Sequence, residues 1–238
     1  MMTKTNFYEK KNLKYRHEIK YQINFAEYFI LKERLKKVFK TDIYAAPHGY
    51  YHVNSIYFDT PYDKALYEKI NGTDKREKYR IRFYNQNMDY IKLERKIKEN
   101  RLTSKQSSLL SYEETKKILL KDNDFLLYSN NPLLIELYSK IKGQGLMPKN
   151  IVTYRREAFI YSPSNVRITL DSEIQSKKIS AESKCFYEKY NYIKTFNNKF
   201  ILEVKYDNFL PEIVKIMLST LDKLPISFSK YASSRIYE

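Results

Sequence analysis

EKYRIRFYN, residues 77–85, places a cation at every second position of its central run. Lys78, Arg80 and Arg82 alternate with Tyr79, Ile81 and Phe83, the period of two that gives a β-strand one apolar and one charged face. On an ordinary half-exposed sheet such cations meet water. What decides the fold is that the pattern recurs, with both signs of charge. RHEIKYQI (16–23) alternates Arg16, Glu18 and Lys20 with His17, Ile19 and Tyr21. YIKLERKIK (90–98) sets Lys92, Glu94, Lys96 and Lys98 against Ile91, Leu93 and Ile97, interrupted by Arg95. VRITLDSEI (166–174) opposes Arg167, Thr169, Asp171 and Glu173 to Val166, Ile168, Leu170 and Ile174, and KFILEVKYD (199–207) opposes Glu203 and Lys205 to Leu202, Val204 and Tyr206. In TYRREAFI (153–160) Arg155 and Glu157 share one face, while Tyr154, Arg156, Ala158 and Ile160 share the other. A solvated face usually mixes Ser, Thr and Gln with Lys. Arg, Lys and Glu concentrated at matched phase predict instead an α+β fold: an antiparallel closed tunnel β-barrel of about eight strands, charged faces inward around a polyanion, apolar faces outward with helices packed on the outside.

Composition agrees with one soluble domain spanning 1–238 and taking an anionic partner. The chain has 238 residues, 42% of them hydrophobic, enough for a sizeable core. Lys and Arg number 44 against 28 Asp and Glu, a formal charge of +16, which favours nucleic acid, a membrane surface or polyphosphate without choosing among them. A single cysteine, Cys185, excludes an intrachain disulfide framework and reads as a bystander. MMTKTNFYEKKNLKYRH lacks the apolar core of a signal peptide, and no run approaches the ~18 apolar residues of a membrane span, so a cytoplasmic location is expected.

Helices fill the gaps between the strands. FAEYFILKERLKKVFK (25–40) carries Phe25, Phe29, Leu35, Val38 and Phe39 on a helical stripe, and TPYDKALYEKI opens with Thr60 as a cap and Pro61 at the first helical position. SYEETKKILL starts on a capping box from Ser111 to Glu114, and NPLLIELYSKIK runs from Asn131-Pro132 to near Gly143. LPEIVKIMLSTLDKL (210–224) is read as the last amphipathic helix, followed by the tail ISFSKYASSRIYE.

The four glycines, Gly49, Gly72, Gly143 and Gly145, fit neither of the common glycine-rich phosphate loops. Any phosphate chain must therefore be held by side chains, for which guanidinium forks are suited. The three histidines, His17, His48 and His52, have no zinc spacing. Oxygen ligands for Mg²⁺ or Mn²⁺ are better placed: Glu203 first, then Glu18, Glu94, Glu157, Asp171 or Glu173, each of which also reads simply as the partner of a neighbouring cation.

HEIKY, SIYFDTP, YRIRFY, KLERK, TYRREAF, ITLDSE, LEVKYD and SKYASSR, in this order from about Tyr15 to Arg235, resemble the VTC polyphosphate-polymerase domain, a branch of the triphosphate tunnel metalloenzymes or CYTH superfamily. The resemblance implies a tunnel barrel in which a nucleoside triphosphate and a divalent metal meet inward charges and the γ-phosphate passes to a growing polyphosphate. Carried over by position, Lys20, Arg80, Arg82, Lys96 and Arg155 match the catalytic phosphate-binding cations, Glu203 the metal-binding glutamate, and Lys230 of SKY the late basic residue. Lys105 of RLTSKQSS is placed as a further substrate lysine, and the inward phase adds Lys92 and Lys205. The superfamily's E-x-E-x-K signature departs here to Arg16, Glu18 and Lys20, as in VTC-type chains.

The expected activity is transfer of the γ-phosphate of ATP onto polyphosphate, with Mn²⁺ or Mg²⁺ as cofactor and a membrane protein as a candidate partner for product export. Positioning and charge neutralisation supply most of phosphoryl-transfer catalysis, so no side-chain nucleophile is required. Two alternatives stay open: metal-dependent hydrolysis of triphosphates, and a noncatalytic polyanion- or RNA-binding module drawing on the 24 tyrosines. Arg16 in place of an acid favours the polymerase, because a hydrolase needs a group that orients water.

Overall fold

A computed structural model describes residues 14–45, 47–100, 102–179, 192–194 and 199–236. Its strands are β1 (His17–Ile23), β2 (Lys40–Thr41), β3 (Tyr51–Asp59), β4 (Arg76–Tyr84), β5 (Asn87–Glu99), β6 (Leu102–Leu110), β7 (Met147–Tyr161), β8 (Val166–Lys178), β9 (Ile193–Lys194) and β10 (Phe200–Tyr206). The helices are α1 (Phe25–Val38), α2 (Lys64–Ile70), α3 (Tyr112–Leu119), α4 (Pro132–Gln144), α5 (Glu212–Ser219) and α6 (Lys230–Ile236). Cys185 lies outside the described residues.

Eight strands form one antiparallel sheet in the order β1-β10-β8-β7-β3-β4-β5-β6, with the short β2 and β9 pairing β7 and β8. The sheet curls until its two edges meet. Among the described residues they pair at one bridge, between Arg16 and Thr103, whose reciprocal amide–carbonyl hydrogen bonds measure 2.9 and 3.1 Å. The fully laddered, closed barrel expected from the sequence is thus seen as a curled sheet fastened at one point, reinforced by Lys96 of β5 reaching Glu18 of β1.

The alternation in EKYRIRFYN does what its period dictates. Tyr79, Ile81 and Phe83 point outward into a buried cluster with Ile91 and Leu93 of β5, covered by Ile118 of α3 and Leu133, Leu134 and Leu137 of α4. A second outer core joins Leu202 and Val204 of β10 and Ile168 and Leu170 of β8 to Leu31 and Leu35 of α1 and Val214 of α5. Both lie between sheet and helices, while a third cluster, with Tyr57 of β3, Val152 and Tyr154 of β7 and Tyr231 of α6, packs beside the charged groups of the concave side.

Local signals set the helix boundaries. Asn24 and Glu27 close a capping box on α1, Ser111 and Glu114 close the predicted one on α3, and Asn131 caps α4 with Pro132 in its first turn. The buried stripe of α1 is Tyr28, Leu31 and Leu35, while Phe25, Phe29 and Val38, expected inward, are exposed. The helix after Thr60-Pro61 begins only at Lys64, behind Asp63 in the left-handed region (φ 55°), with the Lys64 amide donating to the Thr60 hydroxyl. α4 continues past Gly143 and ends on left-handed Gly145 (φ 65°). The helix expected over 210–224 stops at Ser219, and the tail contains α6, which the sequence reading missed.

Ile81→Ala should lower stability by about 2–5 kcal/mol, the usual cost of hollowing a core. Urea unfolding that showed no loss would contradict an outward-facing hydrophobic core.

Candidate functional site

The concave side holds a cavity of about 160 Å³ lined by eleven cationic side chains and two carboxylates, Glu18 and Glu203. Five strands and two helical regions supply the cations: Lys20 from β1, Arg76, Lys78, Arg80 and Arg82 from β4, Lys96 and Lys98 from β5, Arg156 from β7, Lys205 from β10, Lys69 from α2 and Lys230 from α6. They share a face because strand register aligns them, with Lys78 opposite Lys96, Lys20 opposite Glu203 and Lys205 opposite Glu18.

Buried carboxylates hold the deeper cations. Glu94, 1% exposed, accepts from Arg80 Nε at 2.7 Å and from Lys105 at 2.9 Å, and lies 3.7 Å from Arg82. Arg82 donates further to the Ser55 and Tyr154 hydroxyls, each at 3.2 Å, and Arg80 to the Tyr57 hydroxyl at 3.4 Å. Asp171, fully buried, takes a bidentate pair from Arg156 at 2.7 and 2.8 Å and a third bond from Lys230. Glu18 pairs with Lys20 at 2.9 Å and Lys96 at 2.8 Å, and Glu203 with Lys205 at 3.2 Å and Arg156 at 3.6 Å.

The charges tune one another. Burial and the adjacent Glu203 push the Glu18 carboxyl up, but Lys20, Lys96 and Lys205 outweigh them and hold it down at about 2. Glu203 is held well below the carboxylate range against burial by Lys205, Lys20 and Arg156. On the cationic side, burial followed by Lys69, Arg76, Lys96 and Lys20 pulls the Lys78 ammonium down to about 7. Burial and Arg76, Lys20 and Lys98 bring Lys69 to about 8. Lys96 also falls to about 8, through burial and the repulsion of Lys20 and Lys205, against the pull of Glu18.

Of the residues singled out in the sequence, Lys20, Arg80, Arg82, Lys96, Lys205, Lys230 and Glu203 meet at this cavity. Lys105 is the register partner of Lys96 and binds Glu94, but does not line the cavity. Lys92 lies two register pairs beyond Glu94, opposite Arg82, with its ammonium 4.4 Å from the Tyr90 ring centroid, also outside the cavity. Arg155 is a correction. It occupies the outer face, 4.0 Å over the Tyr50 ring and 3.4 Å from Glu157, which is buried against Tyr28 and Lys32 of α1. Arg155 and Glu157 do share a face, but the inward face of β7 is the one carrying Tyr154 and Arg156, where Asp171 of β8 stands opposite Arg156. Arg16 is a second correction: it pairs with Asp207 at 2.7 Å and donates to the Asn165 carbonyl, so its charge does not line the cavity. Of the candidate acids, Glu94 and Asp171 brace cations, and Glu173 sits at a β-bulge with φ 52°, largely exposed. Sequence reading passed over Arg156, Arg76, the hydroxyls of Tyr57 and Tyr154, and Lys69 of α2, and it did not carry Lys78 and Lys98 from the charged faces of their strands into the site. For Arg156 a signal existed, an RR pair of which one member must face each way.

A match to the VTC domain covers residues 15–236. The chain belongs to the VTC-domain family. No curated protein matches it. Among solved structures, a Bacillus halodurans protein provisionally assigned as an adenylate cyclase is similar at 14% identity with a TM-score of 0.54, over 90% of this chain and 94% of its own. A Pyrococcus horikoshii protein is similar at 14% identity with a TM-score of 0.48, over 93% of this chain and all of its own. The first of these likenesses is one of fold. Membership of the VTC-domain family, with a cavity so rich in cations, directs the protein's chemistry towards phosphates.

Two outcomes are expected from this geometry. Arg156→Lys, which loses the planar fork, should weaken tripolyphosphate binding by about tenfold, while Arg155→Ala leaves it within about twofold. Calorimetric titration of both variants checks this, and equal losses would contradict the facing of β7. The second concerns pH. Because folding lowers Lys78 from 10.5 to about 7, the unfolded chain binds a proton there that the folded chain has released, so this group makes stability rise between about pH 7 and 10 and imposes its full cost below 7. Lys78→Met should therefore raise the melting temperature at pH 7 and flatten its rise towards pH 9; an unchanged pH profile would contradict a crowded Lys78.

Proposed function

We propose that this protein is a polyphosphate polymerase, moving the γ-phosphate of ATP onto inorganic polyphosphate within the cationic cavity, which serves as a tunnel. The observation that carries the reading is the set of eleven cations around a cavity with two carboxylates. Arg80, Arg82 and Arg156 are braced by Glu94 and Asp171, so their remaining donors are fixed before a substrate arrives. Fixed donors of this kind stabilise charge on a transferring phosphoryl group without reorganising. Lys20 and Lys96 neutralise adjacent nonbridging oxygens, and the terminal oxygen of the acceptor chain attacks the γ-phosphorus in line as the bond to the β–γ bridging oxygen breaks and ADP leaves. No protein nucleophile takes part.

The donor set fits a divalent cation. Among the described residues no group of three or more His, Cys, Asp or Glu side chains is placed to hold a metal, but Glu18 and Glu203 line the same cavity on neighbouring strands. Mg²⁺ and Mn²⁺ are commonly held by one or two carboxylates with substrate phosphates completing the shell. Glu203, with Glu18 beside it, would hold the ion, which when bound neutralises phosphate charge. We place the reaction in the cytoplasm, with a membrane protein as a candidate recipient of product. Among the described residues no helix is long and apolar enough to cross a membrane.

Hydrolysis is the competing reading, and the placement of Arg16 strengthens it. With Arg16 tied to Asp207, the sequence argument that a cation replaces the water-orienting acid falls away, and Glu18 remains at the cavity. Product analysis decides between them. Purified protein with ATP, Mn²⁺ and a saturating short polyphosphate primer should yield lengthened chains on a gel; orthophosphate release far above chain extension would replace the polymerase with a triphosphatase.

A further inference from the structure

The eleven cavity cations are not equally compensated. Arg80, Arg82, Lys96, Lys20, Lys205, Arg156 and Lys230 each ion-pair with a buried or nearly buried carboxylate. Among the described residues, Lys69, Arg76, Lys78 and Lys98 form no ion pair. What they bond is neutral: Lys69 donates to the Ser227 carbonyl at 2.9 Å and to its hydroxyl, Arg76 to the Thr73 carbonyl, and Lys78 to the Ser229 hydroxyl at 3.3 Å. Strand register sharpens the imbalance, for Arg76 stands directly opposite Lys98, and Lys78 opposite Lys96. Like charges directly opposed across an antiparallel pair destabilise a sheet. Two such pairs in succession, with a lysine from α2 added, form a cluster that the fold itself does not neutralise.

We infer that Lys69, Arg76, Lys78 and Lys98 form a chain-binding subsite, which takes phosphates of a linear polyphosphate lying beyond the part held by Arg80, Arg82 and Arg156. This rests on the proposed polyphosphate chemistry and deepens it. Arg76 is four residues along β4 from Arg80, about 13 Å at the rise of a strand, so one ligand must be extended to engage both groups. An extended polyanion supplies a negative charge at each repeat. A compact triphosphate held by the braced arginines leaves the uncompensated group unserved. The lowered ammoniums of Lys78 and Lys69 have the same origin, burial among like charges, and a bound phosphate run would relieve it. Nucleic acid fits less well. The cavity's Tyr57 and Tyr154 spend their hydroxyls on Arg80 and Arg82, and Lys230 lies 4.4 Å over the Tyr154 ring, so these rings are engaged with cations rather than presented for base stacking.

The test compares tripolyphosphate with long-chain polyphosphate on the whole protein and on a Lys69→Gln/Lys98→Gln double variant. Neither lysine has an ion pair to lose, and removing both relieves repulsion, so the variant should melt no lower than the parent. Its affinity for the long chain should fall by about tenfold or more, and the slope of log affinity against log salt by about two counterions, while tripolyphosphate affinity stays within about twofold. Lys98→Arg, which keeps the charge, should bind the long chain as the parent does. Equal losses for both ligands would merge the four cations with the triphosphate clamp, and an unchanged long-chain affinity would remove the subsite; either overturns the inference. Single-stranded RNA that displaces the long chain at equal charge would reassign the cluster to nucleic acid and also overturn it. A parent protein that binds tripolyphosphate, but long chains no tighter, loses the subsite alone. One that binds neither ligand loses the phosphate reading with it.

Discussion

Bringing Arg80, Arg82 and Arg156 to the concave side of one sheet is possible because Glu94 and Asp171 are buried there with them. A guanidinium removed from water costs several kcal/mol unless its charge and its donors are met, and a buried carboxylate between two cations does both. Glu94 serves Arg80, Arg82 and Lys105, and Asp171 serves Arg156 and Lys230. Each carboxylate joins side chains from different elements, β4 to β5 and β6 in one case, β7 and β8 to α6 in the other. The same contacts that stiffen the site therefore also tie the sheet together. Neutralising either acid would leave several cations facing one another at once.

The arrangement separates two demands that often conflict in a small protein. Packing is met on the convex side, where Ile81, Leu93, Leu202 and Ile168 lie under α1, α3, α4 and α5. Chemistry is met on the concave side, where charge is concentrated. Strand periodicity makes this possible, since every residue that turns from one side hands its neighbour to the other. α2 and α6 are the exceptions, helices that reach the concave side: α2 brings Lys69 to the cavity, and α6 delivers Lys230 to Asp171 while Tyr231 donates to Asp59 and Asn150 binds Ser234.

How much of this was legible in the chain varies with the kind of signal. β4 was readable because its alternation is unbroken, and the inward placement of Arg80 and Arg82 follows once the same charged phase recurs in β1, β5 and β10. β3 and β6 were not, since YHVNSIYFD and LTSKQSSLL carry no alternating charge and become strands through their pairing partners. Arg155 and Arg156 could not be told apart locally: both occupy a charged run, and the choice is made by Asp171 across the ladder on one side and by α1 and Tyr50 on the other. Arg16 keeps the inward phase of Glu18 and Lys20 but is captured by Asp207, a partner 191 positions away that periodicity cannot reveal. Lys69 was passed over because it reaches the cavity from a helix rather than a strand.

The bridge between Arg16 and Thr103 gives the molecule a topology different from that of a ring. A polymer can leave or enter a continuous barrel only by threading an end, however long it is. Here, among the described residues, two backbone hydrogen bonds, the Lys96–Glu18 contact and the bond from the Tyr15 hydroxyl to Glu99 span the join. Backbone bonds of this kind contribute about 0.5–1.5 kcal/mol each, so parting the seam costs far less than breaking a full strand ladder. In mechanical terms the sheet is a clasp rather than a tube, held along this seam by far fewer backbone bonds than along the β5–β6 ladder.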